Sequence, residues 1–234
     1  MGFKEIPLSG MRKIIAERMK LSVSTAAQYT ENMDVDVTEL VRLREGIKED
    51  FEKKAGLKLT YTPFFVMFSS LALKDFPILN STLEQNVIKM FDEVNIGVAF
   101  ALKDGLIVPV IKNVEGKSLT DIVTELDIFS KKVNQGNLSL DDVSNGTFTI
   151  TNIGMYGVDN FTPIVNIPQV AILGVNRIVK KPIVIEEKIV IRDIMTLSLT
   201  SDHRVVDGVI AAQFLKKMSF YIQSKETLSE VLKF

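Results

Sequence analysis

Apolar residues recur at helical spacing in the first third of the chain. Positions three and four apart predict an amphipathic helix over residues 11 to 21. A charged helix is expected from about 39 to 54, where Gly56 ends it. A more apolar helix is expected over 63 to 74, because Pro63 suits a first turn in which its missing N–H has no helical partner.

Two further helices are predicted in the second half. The segment Ser118-Leu119-Thr120-Asp121 has the form of a capping box, with Asp where Glu or Gln is usual. It leads into an apolar stripe at helical spacing that Gly136 ends. The stripe consists of Leu119, Ile122, Val123, Leu126, Phe129 and Val133. The last long helix has a stripe of Ile210, Phe214, Leu215, Met218 and Ile222.

The middle of the chain predicts a β-hairpin. Residues 95–102 and 106–111 are rich in β-branched and apolar side chains, and Lys103-Asp104-Gly105 lies between them. Asp-Gly between two such runs is a strong hairpin signal, because its residues adopt the positive φ angles that a tight turn requires.

Four more strands are expected. They cover residues 30–38, 147–151 after an Asn145-Gly146 turn, 169–175 and 195–200. Helices and strands mixed along one chain predict an α/β fold, a two-layer sandwich of helices on a mixed, largely antiparallel sheet. No linker-like segment or internal repeat interrupts the sequence, so residues 1–234 are expected to form a single domain.

Composition narrows the class of protein. A hydrophobic content of 46% is enough for a sizeable core, and the formal net charge of −1 lacks the basic excess of a nucleic-acid binder. The longest apolar stretch, 64–73, is half of the roughly 20 residues that a membrane span needs. The N-terminus has no signal-peptide core. We therefore expect an intracellular protein without membrane or nucleic-acid partners.

Several common sites are missing from the sequence. The absence of cysteine excludes disulfides, cysteine zinc sites and thiol catalysis by the protein itself. Gly116-Lys117-Ser118 mimics the end of a phosphate-binding loop, but Ile111 stands where that motif needs its first glycine. A nucleophile-elbow Gly-x-Ser-x-Gly does not occur. No metal is expected, although an all-carboxylate site stays open.

His203 is the only histidine, within Ser201-Asp202-His203-Arg204-Val205-Val206-Asp207-Gly208. It is the only side chain whose ordinary pKa suits acid–base chemistry near neutral pH. A predicted strand precedes it and a predicted helix follows, so it lies on a loop, where side chains can project into a cleft. The residues alone leave two interpretations open: a catalytic histidine, or an incidental one in a loop where Asp207 caps the helix.

Residues 202–208 resemble the active-site motif of the dihydrolipoamide acyltransferases, the core components of 2-oxo acid dehydrogenase complexes. The related chloramphenicol acetyltransferases and peptide-synthetase condensation domains usually have two consecutive histidines there. Asp202 replaces the first of them, which favours the dihydrolipoamide branch. Further family-like segments occur in order at 7–16, 94–99, 105–110, 146–154 and 168–174.

The resemblance implies a chloramphenicol-acetyltransferase-like fold and an isolated catalytic domain, without the family's lipoyl and subunit-binding domains. It implies transfer of an acyl group between dihydrolipoamide and coenzyme A, which are substrates. It further implies trimers that assemble into a hollow core, and decarboxylase and dihydrolipoamide dehydrogenase partners held by domains outside this chain. The expected compartment is the cytoplasm, or the mitochondrial matrix in a eukaryote.

The same resemblance assigns roles to two residues. His203 would remove the proton of the coenzyme A thiol, whose ordinary pKa is about 8.5, because the thiolate is the nucleophile. The hydroxyl of Thr151 would stabilise the tetrahedral oxyanion; without the motif it would be an ordinary strand-end threonine. Asn152 is expected to point to the other face of its strand and receives no role.

Family likeness also implies that Asp207 forms an ion pair with an arginine that holds the loop, rather than a triad with the histidine. Arg12, Arg18 and Arg204 are the candidates. It implies that Thr151 and His203 meet across a subunit interface. Gly208 is expected to permit close packing at the helix start.

Two other functions stay open: a catalytically idle scaffold, and an acetyltransferase for a small alcohol such as chloramphenicol. An idle scaffold would be expected to lack His203 or Asp207, and both are present. The acyl group is acetyl, succinyl or branched-chain.

Overall fold

The computed structural model describes residues 1–102 and 105–231. Its helices are α1 Gly10–Thr25, α2 Thr38–Ala55, α3 Thr62–Asp75, α4 Leu119–Gln135, α5 Gly208–Gln223 and α6 Lys225–Val231. Its strands are β1 Gln28–Asp36, β2 Ser81–Glu84, β3 Val87–Met90, β4 Ile96–Val98, β5 Phe100–Leu102, β6 Gly105–Ile107, β7 Val110–Ile111, β8 Phe148–Asn152, β9 Ala171–Ile185 and β10 Lys188–Asp202. The five predicted helices are confirmed, and α6 is additional.

The predicted helix ends have the expected physical basis. Gly56 and Gly136 follow α2 and α4 with φ of 68° and 69°, the left-handed conformation that glycine adopts without steric cost. At the start of α4, Ser118 Oγ accepts from Asp121 N at 3.1 Å. The Asp121 carboxylate accepts from Ser118 N at 2.9 Å. Asp therefore completes the capping box in place of Glu.

The main sheet has six strands in the order β1-β10-β9-β8-β4-β7. Strand β8 runs parallel to β9 and β4, and the other neighbours are antiparallel. The predicted mixed, largely antiparallel sheet is confirmed. Side chains alternate across it: Phe148 and Ile150 of β8 are fully buried towards the helices with Phe64 and Phe214. Thr149 and the other intervening positions are mostly polar.

The predicted central hairpin is present but each of its strands is divided. The segment 95–102 forms β4 in the main sheet and then β5, which leaves the sheet and pairs with β6. Leu102 lies opposite Gly105, as expected of a hairpin. Lys103 and Asp104, the expected turn residues, lie outside the described residues.

Strands β9 and β10 are much longer than the sequence predicts. Beyond the expected 169–175 and 195–200, they continue as an antiparallel ribbon that turns at Glu186 and Glu187, with φ of 48° and 62°. These positive angles are typical of a two-residue hairpin turn. Glutamate rarely takes them, so the turn has no signal in the sequence.

Helix α1 exposes most of its side chains, including Met11 and Ile14 of its apolar stripe. Only Ser22 is buried within it, and Ser22 Oγ donates to Val165 O at 2.6 Å. Of the helices in the described ranges, none is long and apolar enough to cross a bilayer.

Candidate active site

His203 lies on the turn between β10 and α5, as the sequence predicts. Its backbone N–H donates to Ala27 O at 2.9 Å, which ties the turn to the start of β1. The N–H groups of Val205 and Val206 donate to Asp202 O at 2.9 and 3.0 Å. The backbone around the histidine is therefore held by hydrogen bonds on both sides of it.

The His203 side chain is half exposed and lies against Tyr29 of β1. The two ring centroids are 4.7 Å apart at an interplanar angle of 51°. Tyr29 OH donates to Val206 O at 3.1 Å, so the phenol ring is fixed to the same turn. Burial, together with the charges of Glu31 and Asp207, raises the pKa of Tyr29 to about 12. The phenol therefore stays protonated and forms one wall of the imidazole site.

Asp207 faces the histidine without a hydrogen bond to it. Its Oδ1 lies 3.9 Å from His203 Nδ1, which is beyond hydrogen-bonding distance. Asp207 occupies the N-cap position of α5, but its side chain makes no capping hydrogen bond. The carboxylate thus contributes negative charge beside the imidazole and is available to another partner.

The three candidate arginines do not reach Asp207 within the described chain. Arg204 forms a bidentate ion pair with Asp202 instead. Arg18 donates to Asn166 Oδ1 at 3.4 Å. Arg12 makes no ion pair with the residues that the structure describes. The expected arginine partner of Asp207 is therefore absent from the described part of one chain.

Glu31 is a second carboxylate at this site, and nothing in the sequence around it indicates that position. A Cβ at Gly208 would lie 3.0 Å from Glu31 Oε1, so glycine at that position makes room for the carboxylate. This is the close packing expected of Gly208. Burial raises the pKa of Glu31, and His203 opposes that shift. A glutamate on an edge strand has no pattern that marks it as part of a site.

Thr151 lies on β8 and lines a separate cavity of about 570 Å³. Its hydroxyl makes no hydrogen bond with the described residues. Asn152 also borders the cavity, but its amide is occupied: Nδ2 donates to Thr62 Oγ1 at 3.2 Å and Oδ1 accepts from Gly154 N at 3.0 Å. Apolar side chains that line the same cavity include Phe100, Leu106, Val123, Leu126, Met155 and Tyr156.

Within one chain, Thr151 and His203 are far apart. In the sheet register, Thr151 pairs with Gly174 of β9, and Gly174 pairs with Ser198 of β10, so Thr151 and Ser198 lie at the same height along the strands. His203 comes five positions after Ser198. Standard strand dimensions place the two residues about 17 Å apart along the strands and about 10 Å apart across them. The structure joins His203 and Asp207 but does not bring Thr151 to them.

Metal ligands do not cluster near these residues. Among residues 1–102 and 105–231, no group of three or more His, Asp or Glu side chains could hold a metal ion.

Comparison with known proteins identifies the family. The model of the 2-oxoacid dehydrogenases acyltransferase (catalytic domain) family matches residues 1–229. The chain belongs to this family. A branched-chain alpha-keto acid dehydrogenase lipoamide acyltransferase component from Bacillus subtilis is 41% identical over 98% of this chain and 54% of its own length. A dihydrolipoyllysine-residue succinyltransferase component from Rickettsia typhi is 39% identical over 96% of this chain and 56% of its own length. The chain thus spans about half the length of the curated relatives it matches.

Solved structures of family members share the fold. The Azotobacter vinelandii dihydrolipoamide acetyltransferase and the cubic core of a pyruvate dehydrogenase multienzyme complex each show 34% identity. Both match 97% of this chain and 94% of their own, with TM-scores of 0.93. The former was studied for the role in catalysis of a serine, a histidine 52 positions later and an asparagine four positions after that. A chloramphenicol acetyltransferase, 13% identical with a TM-score of 0.56 over 88% of this chain and 94% of its own, shares the fold.

Proposed function

We propose that residues 1–234 are the catalytic domain of a dihydrolipoamide S-acyltransferase, which moves an acyl group between dihydrolipoamide and coenzyme A. The observation that carries the proposal is the number of positions that separate three residues in the sequence. His203 follows Thr151 by 52 positions and precedes Asp207 by four, as do the serine, histidine and asparagine studied in the Azotobacter vinelandii enzyme. A hydroxyl, an imidazole and a polar side chain thus recur at the same intervals in a chain of the same fold.

His203 acts as the general base in this proposal. Its ring is half exposed, so a substrate can reach it, and its Nδ1 faces Asp207, which leaves Nε2 for the substrate. Nε2 takes the proton of the coenzyme A thiol, and the thiolate attacks the carbonyl carbon of the acyl-dihydrolipoamide thioester. Collapse of the tetrahedral intermediate breaks the bond to the lipoyl sulfur, which recovers the proton from the imidazolium. The protein itself forms no covalent bond to the acyl group.

Thr151 supplies the hydrogen bond to the oxyanion. Its hydroxyl is unpaired among the described residues and borders the apolar cavity. That lining suits the hydrocarbon part of an acyl-lipoyl group, with the carbonyl oxygen directed at the hydroxyl. A donor placed at the developing negative charge contributes about 10²–10³ in rate.

The site is completed by a second copy of the chain. A base and an oxyanion donor must both lie about 3 Å from the reacting atoms, so Thr151 and His203 of one chain cannot serve the same substrate. We assign them to adjacent chains of a trimer, and the trimers to a hollow core. The solved cubic core of similar fold supports this assembly. Because Arg204 is occupied by Asp202, the partner of Asp207 is Arg12 or Arg18 of a neighbouring chain.

The remaining parts of the system lie outside this chain. The lipoyl group is carried on another domain, and the decarboxylase and dihydrolipoamide dehydrogenase components bind through further domains. The compartment is the cytoplasm, or the mitochondrial matrix in a eukaryote; the relatives include bacterial proteins and a yeast mitochondrial one.

A transfer assay tests the function and identifies the acyl group. The purified core is supplied with coenzyme A and acetyl-, succinyl- or branched-chain acyl-dihydrolipoamide, and separately with acetyl-coenzyme A and chloramphenicol. We expect acyl-coenzyme A from one of the three dihydrolipoamide thioesters. Acetylation of chloramphenicol alone supports the small-alcohol enzyme, and an assembled core inactive with every substrate supports the idle scaffold.

A further inference from the structure

Asp202 is almost completely buried at the end of β10, with its side chain 4% exposed. Its Oδ1 accepts from Ala27 N at 3.2 Å and from Arg204 N at 3.1 Å. Arg204 Nε lies 3.0 Å from both carboxylate oxygens, and Arg204 Nη2 lies 2.5 Å from Oδ2. Such charge-assisted, bidentate contacts are the strongest class of protein hydrogen bond and fix orientation as well as energy.

The charge of Asp202 is maintained by these contacts. Burial alone would raise the pKa of its carboxyl group, but the hydrogen bonds from Arg204 and Ala27 outweigh burial and lower it. A buried carboxylate with several donors holds them in one geometry, because each would lose a partner if the turn moved.

Asp202 forms hydrogen bonds to Ala27, which contacts the His203 backbone, and to Arg204, which follows His203 in the chain. The N–H of Ala27 donates to Asp202 Oδ1, and the carbonyl oxygen of Ala27 accepts from the N–H of His203. Arg204, the residue after His203, donates to the Asp202 carboxylate from both its backbone N–H and its side chain. The His203 ring makes no hydrogen bond to the described residues, and Asp207 Oδ1 lies 3.9 Å from its Nδ1. Its position is therefore set mainly by the backbone that Asp202 fixes and by contact with Tyr29.

We propose that Asp202 is a positioning residue for His203: together with Arg204 and Ala27 it holds the imidazole where it can take the thiol proton. The inference rests on the proposed function and adds a residue to it. Displacement of a catalytic group by about 1 Å can lower a rate about 100-fold without any loss of substrate contacts. The Asp202 side chain is only 4% exposed and is therefore not available for contact with either substrate, so its loss is expected to change kcat rather than KM.

The test compares Asp202→Asn with Asp193→Asn. The amide keeps the size of the carboxylate and removes its charge. Asp193 is a buried carboxylate on the same strand, ion-paired with Lys180 at 2.9 Å but nine positions from Asp202. We expect Asp202→Asn to lower kcat about 10- to 100-fold and leave both KM values within about twofold. Asp193→Asn should leave kcat within about twofold. Equal losses in the two variants, or an unchanged kcat in Asp202→Asn, would overturn the inference.

A double-mutant cycle separates positioning from folding. In a chain that already has His203→Ala, Asp202→Asn should lower the residual rate less than about twofold. The imidazole that Asp202 positions is then absent, so its loss has little further effect. A similar loss in both backgrounds would indicate a purely structural residue. If Asp202→Asn does not assemble, Arg204→Lys, which keeps the charge but not the bidentate geometry, is used in the same cycle. Full activity of His203→Ala would instead contradict the proposed function.

Discussion

Thr151 lies on strand β8 and His203 directly follows strand β10 of the same sheet, yet the two residues are too far apart to meet within one chain. Thr151 is level with Ser198 of β10, two strands away, while His203 follows Ser198 by five positions, on the turn just after β10 ends. Among the residues that the structure describes, the Thr151 hydroxyl borders a cavity and makes no hydrogen bond, and the His203 imidazole is half exposed beside Asp207. If both act on one thioester, assembly is a condition of activity rather than only an architectural feature.

Subunit mixing should restore activity to two inactive variants. His203→Ala and Thr151→Ala chains are mixed, dissociated and reassembled together. In randomly mixed trimers about a quarter of the sites combine an intact histidine with an intact threonine, so up to about a quarter of the wild-type rate should return. The measurement is the transfer rate after exchange has been verified by mass spectrometry. Failure to regain activity in verified mixed trimers would place both residues in the same chain.

Removal of the Thr151 hydroxyl should slow transfer with little change in binding. Thr151→Val keeps the shape of the side chain and should lower kcat about 10²–10³-fold. Thr151→Ser keeps the donor and serves as the matched control, with a kcat near that of the wild type. Steady-state kinetics decide between them. An oxyanion role is excluded if the valine and serine variants turn over equally fast.

Glycine at position 154 should be required for the segment that follows Thr151. A Cβ there would lie 2.5 Å from the backbone oxygen of Asn176, closer than any real contact. Gly154→Ala is expected to destabilise the fold by about 1–3 kcal/mol. Gly46, inside α2 with nothing within 4 Å of its Cβ position, is the control. Gly46→Ala should stabilise by about 0.5–1 kcal/mol. Denaturant unfolding measures both, and equal effects would contradict the packing described.

Asp142 should contribute stability that depends on pH. The Lys132 ammonium and then the Ser139 N–H lower the pKa of Asp142 to about 2, against about 3.9 in an unfolded chain. A lowered folded pKa means that the contribution is complete above about pH 4 and is lost as the pH falls towards 2. Asp142→Asn should therefore cost on the order of 1 kcal/mol at neutral pH and progressively less in acid. A pH-independent difference in unfolding free energy between variant and wild type would contradict this.

Local signals in the sequence predicted the elements well where they have a steric or hydrogen-bonding cause. The Ser118–Asp121 capping box and the ends at Gly56 and Gly136 were predictable, because each uses a residue suited to an unusual backbone position. The β2–β3 turn at Gln85-Asn86 and the β9–β10 turn at Glu186-Glu187 were not. Both adopt positive φ without glycine, so pairing of the strands on either side of each turn overrides the local preference of the turn residues.

Some residues of the candidate site could likewise be predicted from the sequence, and others could not. The single histidine and its loop were predictable from residue type and flanking elements, whereas the role of Thr151 came from family resemblance alone. Glu31 and Tyr29 reach His203 because β1 pairs with β10, a contact between segments about 170 positions apart in the chain. Only the fold brings them together. The pairing of Arg204 with Asp202, rather than with Asp207, likewise depends on side-chain directions at the turn.

The most direct test of the central claim is the kcat of His203→Asn in the assembled core, with coenzyme A and the preferred acyl-dihydrolipoamide. Asparagine is neutral and of similar size, and it cannot accept the thiol proton near neutral pH. Loss of a general base predicts a kcat lower by about 10²–10⁴-fold, with KM little changed. A variant that assembles normally and turns over as fast as the wild type would show that this imidazole does not remove the proton.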